Sequence, residues 1–133
     1  MNAESLNRGQ SWGSLALRLA LALSIIYHGY QKVFTHDALH RFAHSIATLG
    51  FPGWLGYVSA FTELVGGILI LLGLFTRVAA IFVTVNMLVA LFAVAIHHGY
   101  NSYSYVAALA AIAIMLIFSG GGALSLDRKF GFS

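Results

Sequence analysis

Two charged side chains stand where an apolar chain tolerates them least: Arg18 within the first long apolar run and Glu63 within the second. On insertion scales such a group at mid-helix costs roughly 2.5–3.5 kcal/mol, so each is expected to be paired or to serve a site. At 100° per residue, Arg18, Ile25 and Lys32 share one stripe of the first run, with His28 at its edge. Gly56, Ser59, Glu63, Gly66 and Gly67 share a stripe of the second, and small residues of this kind let helix backbones approach closely. Asn86 lies near the middle of the third run, His97 three turns further on the same face, and Tyr105 near the outer end of the fourth. These positions predict an inward-facing polar column. Glu63 and Asn86 lie at mid-depth, Arg18 reaches Glu63, and His28, Lys32, His97 and Tyr105 stand at the outer mouth.

The chemistry suited to such a column is recognition of a quinone or similar amphipathic molecule, which needs an apolar slot, donors for two oxygens and a proton path. His28 or His97 would donate to one oxygen and Arg18 or Lys32 to the other. Glu63 and His28 are the candidate catalytic, proton-handling groups. Arg18, Lys32, Asn86, His97 and Tyr105 are the candidate binding set. Alternatively, Arg18 and Glu63 form only a clasp that fixes helix register, Asn86 makes an interhelical hydrogen bond, and Lys32 extends to the interface.

The remaining histidines invite a metal assignment, because His36, His40 and His44 repeat at i, i+4 and i+8. They fall on a solvated face with only Asp37 near, so no dedicated metal site is assigned. Haem held by His28 and His97 is also disfavoured, and His97 and His98, being consecutive, diverge on a helix. Gly120-Gly121-Gly122 follows a helix instead of opening a strand–helix unit, so it is a turn and not a phosphate cradle.

Composition defines what must position these groups. Of 133 residues, 59% are hydrophobic and only 8% charged, against about 25% charged in soluble domains. Such a chain cannot cover its surface for water, and the lipid bilayer is its expected partner. The net charge of +3 forms no basic stripe, so nucleic acid is not a partner. The absence of cysteine excludes disulfides and thiolate metal sites within the chain.

The pattern predicts an all-α membrane protein of one domain, an antiparallel four-transmembrane-helix bundle. Its spans cover about 12–34, 54–74, 78–97 and 102–119, each near the ~20 residues that about 30 Å of hydrocarbon requires. A short amphipathic helix over 35–49 lies between the first two, with Leu39, Phe42, Ile46 and Leu49 on its apolar face. Thr35 is its expected cap, Gly50 suits the position after its end, and Pro52 forbids continuation. The run Leu15–Ile26 continues into Tyr27 and His28, so it is read as a retained helix and not a cleaved leader.

Arg8, Arg77, Arg128 and Lys129 fall on one side, with Arg18 biased toward it, while only Lys32 and Arg41 fall on the other. Both termini are therefore expected in the cytoplasm. Tyr27, Tyr30, Trp54, Tyr57, Tyr100, Tyr103 and Tyr105 would form the outer aromatic belt, with Trp12, Phe75 and Phe118 at the inner boundary.

Four ordered motifs carry a family likeness. Tyr27-His28-Gly29-Tyr30-Gln31-Lys32, following Arg18-Leu19, resembles the opening of the DoxX family. Glu63-Leu64-x-Gly66-Gly67 and then Leu72-Gly73-Leu74-Phe75-Thr76-Arg77 resemble its second helix and following turn, and Ala123-Leu124-Ser125-Leu126-Asp127-Arg128 its C-terminal signature. The resemblance implies a small four-helix protein of the bacterial inner membrane. The family takes its name from subunits of a thiosulfate:quinone oxidoreductase, and other members are associated with redox or stress-related membrane complexes. Arg18, His28, Gly29, Lys32, Glu63, Gly66, Gly67 and Arg77 occupy motif positions. Gly120-Gly121-Gly122 departs from the family's frequent Gly-Pro-Gly, and the three-histidine helix matches no family mark.

The function expected is that of a redox-linked membrane subunit binding a quinone or similar carrier. Any catalysis would be quinone-linked oxidoreduction, with electrons from a bound cofactor or from a membrane or periplasmic redox partner. Two rivals remain: a non-catalytic scaffold or assembly partner of a redox complex, and a small transporter acting as a homo-oligomer.

Overall fold

The computed structural model describes residues 2–35 and 37–131, and His36 lies outside the described residues. Those residues form six α-helices: α1 (Ala3–Phe34), α2 (Ala38–Thr48), α3 (Trp54–Leu72), α4 (Thr76–Ala93), α5 (Tyr100–Ser119) and α6 (Leu126–Phe130), with a 3-10 turn at Ala95–His97. Three of them, α3, α4 and α5, are long and apolar enough to cross a membrane. Their exposed faces carry Val58, Phe61, Val65 and Ile68 on α3, Phe82, Val85 and Val89 on α4, and Ile114 and Phe118 on α5. Water cannot solvate such surfaces cheaply, and lipid can. The protein is a membrane protein.

The first helix is longer and more polar than the span expected at 12–34. Asn2 caps it, its side chain accepting from the Ser5 N–H at 2.9 Å, so helix begins at Ala3. Ser14, Arg18, Leu21, Ala22, Ile25 and Gly29 form its buried stripe. α2 is shorter than 35–49, and the expected Thr35 side-chain cap is absent. Thr35 is instead extended backbone ending α1, and its carbonyl accepts from the Ala38 N–H at 3.0 Å.

The C-terminal ends behave as local chemistry dictates. After α3, Gly73 turns left-handed (φ 69°), its N–H bonding to Ile70 and that of Leu74 to Leu69, which closes the helix and reverses the chain into α4. Gly50 does the same after α2 (φ 93°). Beyond α4, Val94 leaves helical geometry (φ −125°, ψ −61°), so the third run ends at Ala93 and not at His97.

α1 packs on α3, α3 on α4, α4 on α5, and α5 returns to α1, while α2 lies across α1 and α3. The core between them holds Leu21, Ile25, Ile70, Ala80, Val83 and Leu116, all fully buried. Small residues set the spacing: a Cβ on Gly29 would stand 2.7 Å from the Leu64 nitrogen, and one on Gly56 2.7 Å from the Ala43 Cα. The helices therefore touch backbone to backbone at these points.

Candidate functional site

The apolar core separates two polar centres. Along α1 the order is Arg18, then Leu21 and Ile25, then Lys32. Along α3 it is Gly73, Ile70, Glu63, and along α4 it is Thr76, Ala80 and Val83, Asn86. The expected meeting of Arg18 with Glu63 does not occur. Arg18 lies level with Gly73, whose Cβ position is 2.8 Å from the Arg18 Nη1. Glu63 is ten residues back along α3, about 15 Å at 1.5 Å per residue. No arginine side chain spans that distance.

Glu63 is 3% exposed and takes Lys32 as its cation. Lys32 Nζ donates to Oε1 at 2.8 Å, and Asn86 Nδ2 donates to the same oxygen at 3.1 Å. Ser59 Oγ donates to Asn86 Oδ1 at 2.5 Å, which fixes the amide so that its nitrogen faces the carboxylate. Glu63 Oε2 is buried with no hydrogen-bond partner among the described residues. Both donors thus converge on Oε1, and Oε2 is left without one. The site is assembled by register: Gly29, three residues before Lys32, packs on Leu64 and the Glu63 carbonyl carbon, which brings the end of α1 to the level of Glu63.

His28 is one turn before Lys32 and shares its side of α1. Its Nε2 lies 3.1 Å from the Tyr105 hydroxyl, and the rings meet edge to face. Lys32, whose side chain is 27% exposed, forms the outer rim. α2 roofs this end: the Phe42 ring lies 4.3 Å from Lys32 Nζ, and His40 Nδ1 is 2.9 Å from the Tyr57 hydroxyl. Of the predicted set, the structure therefore brings together Glu63, Lys32 and Asn86, with His28 and Tyr105 paired alongside. His97 is exposed on the 3-10 turn, because the break at Val94 removes it from the face of Asn86. Ser59 belongs to the cluster, although the sequence places it only on the stripe it shares with Glu63. Its spacing of four from Glu63 was the available signal.

Arg18 builds the second centre with the C-terminal segment. Its Nη1 donates to the carbonyls of Gly121 (2.7 Å) and Ala123 (3.2 Å), and its Nη2 to that of Leu124 (2.9 Å). Asp127 completes the knot: Oδ1 accepts from the Phe75 N–H at 2.6 Å and Oδ2 from the Thr76 N–H at 2.8 Å, capping the start of α4. The Asp127 N–H donates to the Gly73 carbonyl at 2.8 Å. Gly122 (φ 72°) must be glycine twice over, since a Cβ there would lie 2.5 Å from the Ser11 carbonyl oxygen. The three-glycine stretch, expected as a turn, is irregular chain with a bend at Gly121, and the turn itself falls at Ala123-Leu124. Asp127 went unrecognised as a functional group; Ser125, whose hydroxyl accepts from the Arg128 N–H, was the cue that a capped helix begins there.

His40 is occupied with Tyr57, His44 is exposed, and among the described residues no three His, Cys, Asp or Glu side chains converge. A recess of about 520 Å³ lies on the outer side of α3 and α4, walled by Phe61, Val65, Phe75 and Phe82. It is apolar.

A helical membrane protein with a buried carboxylate held by lysine and asparagine is the class that fold and site define. The DoxX family pattern matches residues 13–98, and the chain belongs to the DoxX family. It is 29% identical over 125 residues to a Bacillus subtilis (strain 168) protein named "Putative oxidoreductase CatD", covering 92% of this chain and 90% of that one. It is 33% identical over 125 residues to an uncharacterized protein of Haemophilus influenzae, covering 86% and 87%. No solved structure matches.

Proposed function

We propose that this protein is a four-span subunit of a redox system in the bacterial inner membrane. On this reading an amphipathic carrier of the quinone class docks at the Lys32–Glu63–Asn86 cluster. The carrying observation is the bare Glu63 oxygen: a buried carboxylate with one unpartnered oxygen is costly in an apolar interior unless another group uses it. The surrounding side chains fit such a carrier. Lys32 and Asn86 have further N–H donors, His28 and Tyr105 form a second polar pair on the same side, and Phe42 of α2 lies against Lys32. A bound quinone would supply the two-electron chemistry. Glu63 Oε2 would accept a proton released by the carrier's hydroxyl, and His28 would relay it toward the exposed rim. The oxidoreductase named among the relatives supports a redox setting.

Electrons would pass between the carrier and a bound cofactor or a membrane or periplasmic partner, since the chain has no cysteine to form a redox pair of its own. The scaffold alternative draws on one observation, that Lys32, Glu63, Asn86 and Ser59 tie three helices together. Quantification of quinone co-purifying with the detergent-solubilised protein separates the two. The wild type should carry it, and a Lys32→Met/Glu63→Leu variant should not. A folded wild type lacking bound quinone, even when quinone is added, would leave the scaffold.

α1 is proposed as the fourth span, antiparallel to α3, with its Arg18 charge consumed inside the protein. Arg8, Arg77, Arg128 and Lys129 gather toward the Arg18 end, and this charge asymmetry supports a cytoplasmic location for both termini. A C-terminal reporter active only in the cytoplasm should be active, and activity of a periplasm-only reporter would reverse the orientation.

A further inference from the structure

The unused atom at the cluster is an acceptor, and that fixes more than the presence of a ligand. Glu63 Oε1 is shared by two donors, Lys32 Nζ and Asn86 Nδ2, while Oε2 is buried and receives none. An ionised carboxylate oxygen can only accept. A ligand presenting a carbonyl oxygen there would set two acceptors against each other. A ligand presenting a hydroxyl would satisfy the orphan with a charge-assisted hydrogen bond, the stronger kind.

We infer that Glu63 makes the site selective for the hydroxyl-bearing, reduced form of its carrier, a hydroquinone in preference to the quinone. The inference rests on the carrier-binding reading above and adds the oxidation state. Access requires the Lys32 ammonium to swing outward: its side chain is the partly exposed member of the pair, it lies against Phe42 under α2, and it can keep its charge at the rim.

The same geometry dictates what glutamine would do at this position. Lys32 carries only donors, and the Asn86 nitrogen faces Oε1 because Ser59 holds the amide oxygen. In Glu63→Gln the side-chain oxygen must therefore occupy the Oε1 position, and the amide nitrogen takes the place of Oε2. An acceptor becomes a donor, so the preference should invert.

The test measures equilibrium binding of three probes to the full-length protein in lipid nanodiscs, without oxygen: a short-tailed alkyl hydroquinone, the matching quinone, and the hydroquinone dimethyl ether. The wild type should bind the hydroquinone about tenfold or more tighter than either of the others, as loss of one hydrogen bond to a charged group implies. Glu63→Gln should favour the quinone. Equal binding of all three probes by the wild type overturns the inference and leaves carrier binding standing, and it does so even if the variant fails to fold. Binding of none of them removes the carrier-binding reading itself.

Discussion

Both polar centres bury charge among apolar helices, yet they use it differently. At the Arg18 centre the charges are directed at backbone: three carbonyls of the C-terminal segment for the guanidinium, and two N–H groups at the start of α4 for Asp127. At the Glu63 centre the bonds run between side chains of three helices, one partner reaches the rim, and a carboxylate oxygen is left over. Arg18 Nε and Thr76 Oγ1 are also unpartnered among the described residues. They are walled in, however: Thr76 Oγ1 lies 3.1 Å from the Cβ position of Gly121, and Gly73 and Gly121 leave no space for even a methyl group. A charge that saturates backbone groups in a sealed turn holds a fold together. A charge with an unused oxygen beside a partly exposed lysine is where the proposed ligand would bind.

That contrast breaks most visibly at Arg18. Arg18→Met leaves the carbonyls of Gly121 and Ala123 buried without donors, removes the donor to Leu124, and leaves Asp127 without its nearby cation. Removing one member of a buried charged arrangement costs roughly 3–5 kcal/mol. Unfolding in mild detergent, followed by far-UV circular dichroism, should show a loss of that size. Quinone content per folded protein should stay at the wild-type level. A stable Arg18→Met protein that has lost its quinone would place Arg18 in the ligand site after all.

Much of this arrangement is legible in the sequence. Apolar runs and their breaks locate α3, α4 and α5, and the 100° stripes identify Arg18, Lys32, Glu63 and Asn86 as inward-facing. Axial register is what periodicity does not give. Arg18 and Lys32 share a stripe, and helical rotation alone cannot say which of them stands opposite Glu63. That choice is made by Gly29 seating on Leu64, a contact between backbones that leaves only a glycine in the sequence. The break at Val94 is invisible for a similar reason: Val94 continues an apolar run, and no glycine or proline marks the end of α4 before Gly99. The role of Asp127 depends on a chain reversal that no local pattern encodes.

Gly29 is the next point of leverage, because it links packing to the site. In Gly29→Ala the new methyl would meet the Leu64 nitrogen at 2.7 Å and its Cα at 3.0 Å, both backbone atoms that cannot rotate away. α1 must then move from α3, at a cost of about 1–3 kcal/mol for overpacking. Lys32 is carried with it, so the bond to Glu63 lengthens and quinone content should fall together with stability. An alanine variant with normal stability and full ligand content would show that register is set elsewhere.

The smallest stability change is expected where the functional change is greatest. Lys32→Met/Glu63→Leu replaces a partly buried ion pair with apolar side chains of similar size, in an environment that is apolar already. Exchanges of this kind are often neutral or stabilising, because the desolvation cost of two charges disappears together with their attraction. Asn86 then loses its bond to the carboxylate but keeps Ser59. The unfolding midpoint should therefore shift by the equivalent of about 1 kcal/mol or less, in either direction, while co-purifying quinone is lost. Glu63→Leu alone should be the less stable protein, since it strands the Lys32 ammonium against Phe42 under α2 with no counter-ion. If instead the double variant unfolds as readily as Arg18→Met, the Lys32–Glu63 pair is a second structural clasp, and the division between a holding centre and a binding centre fails.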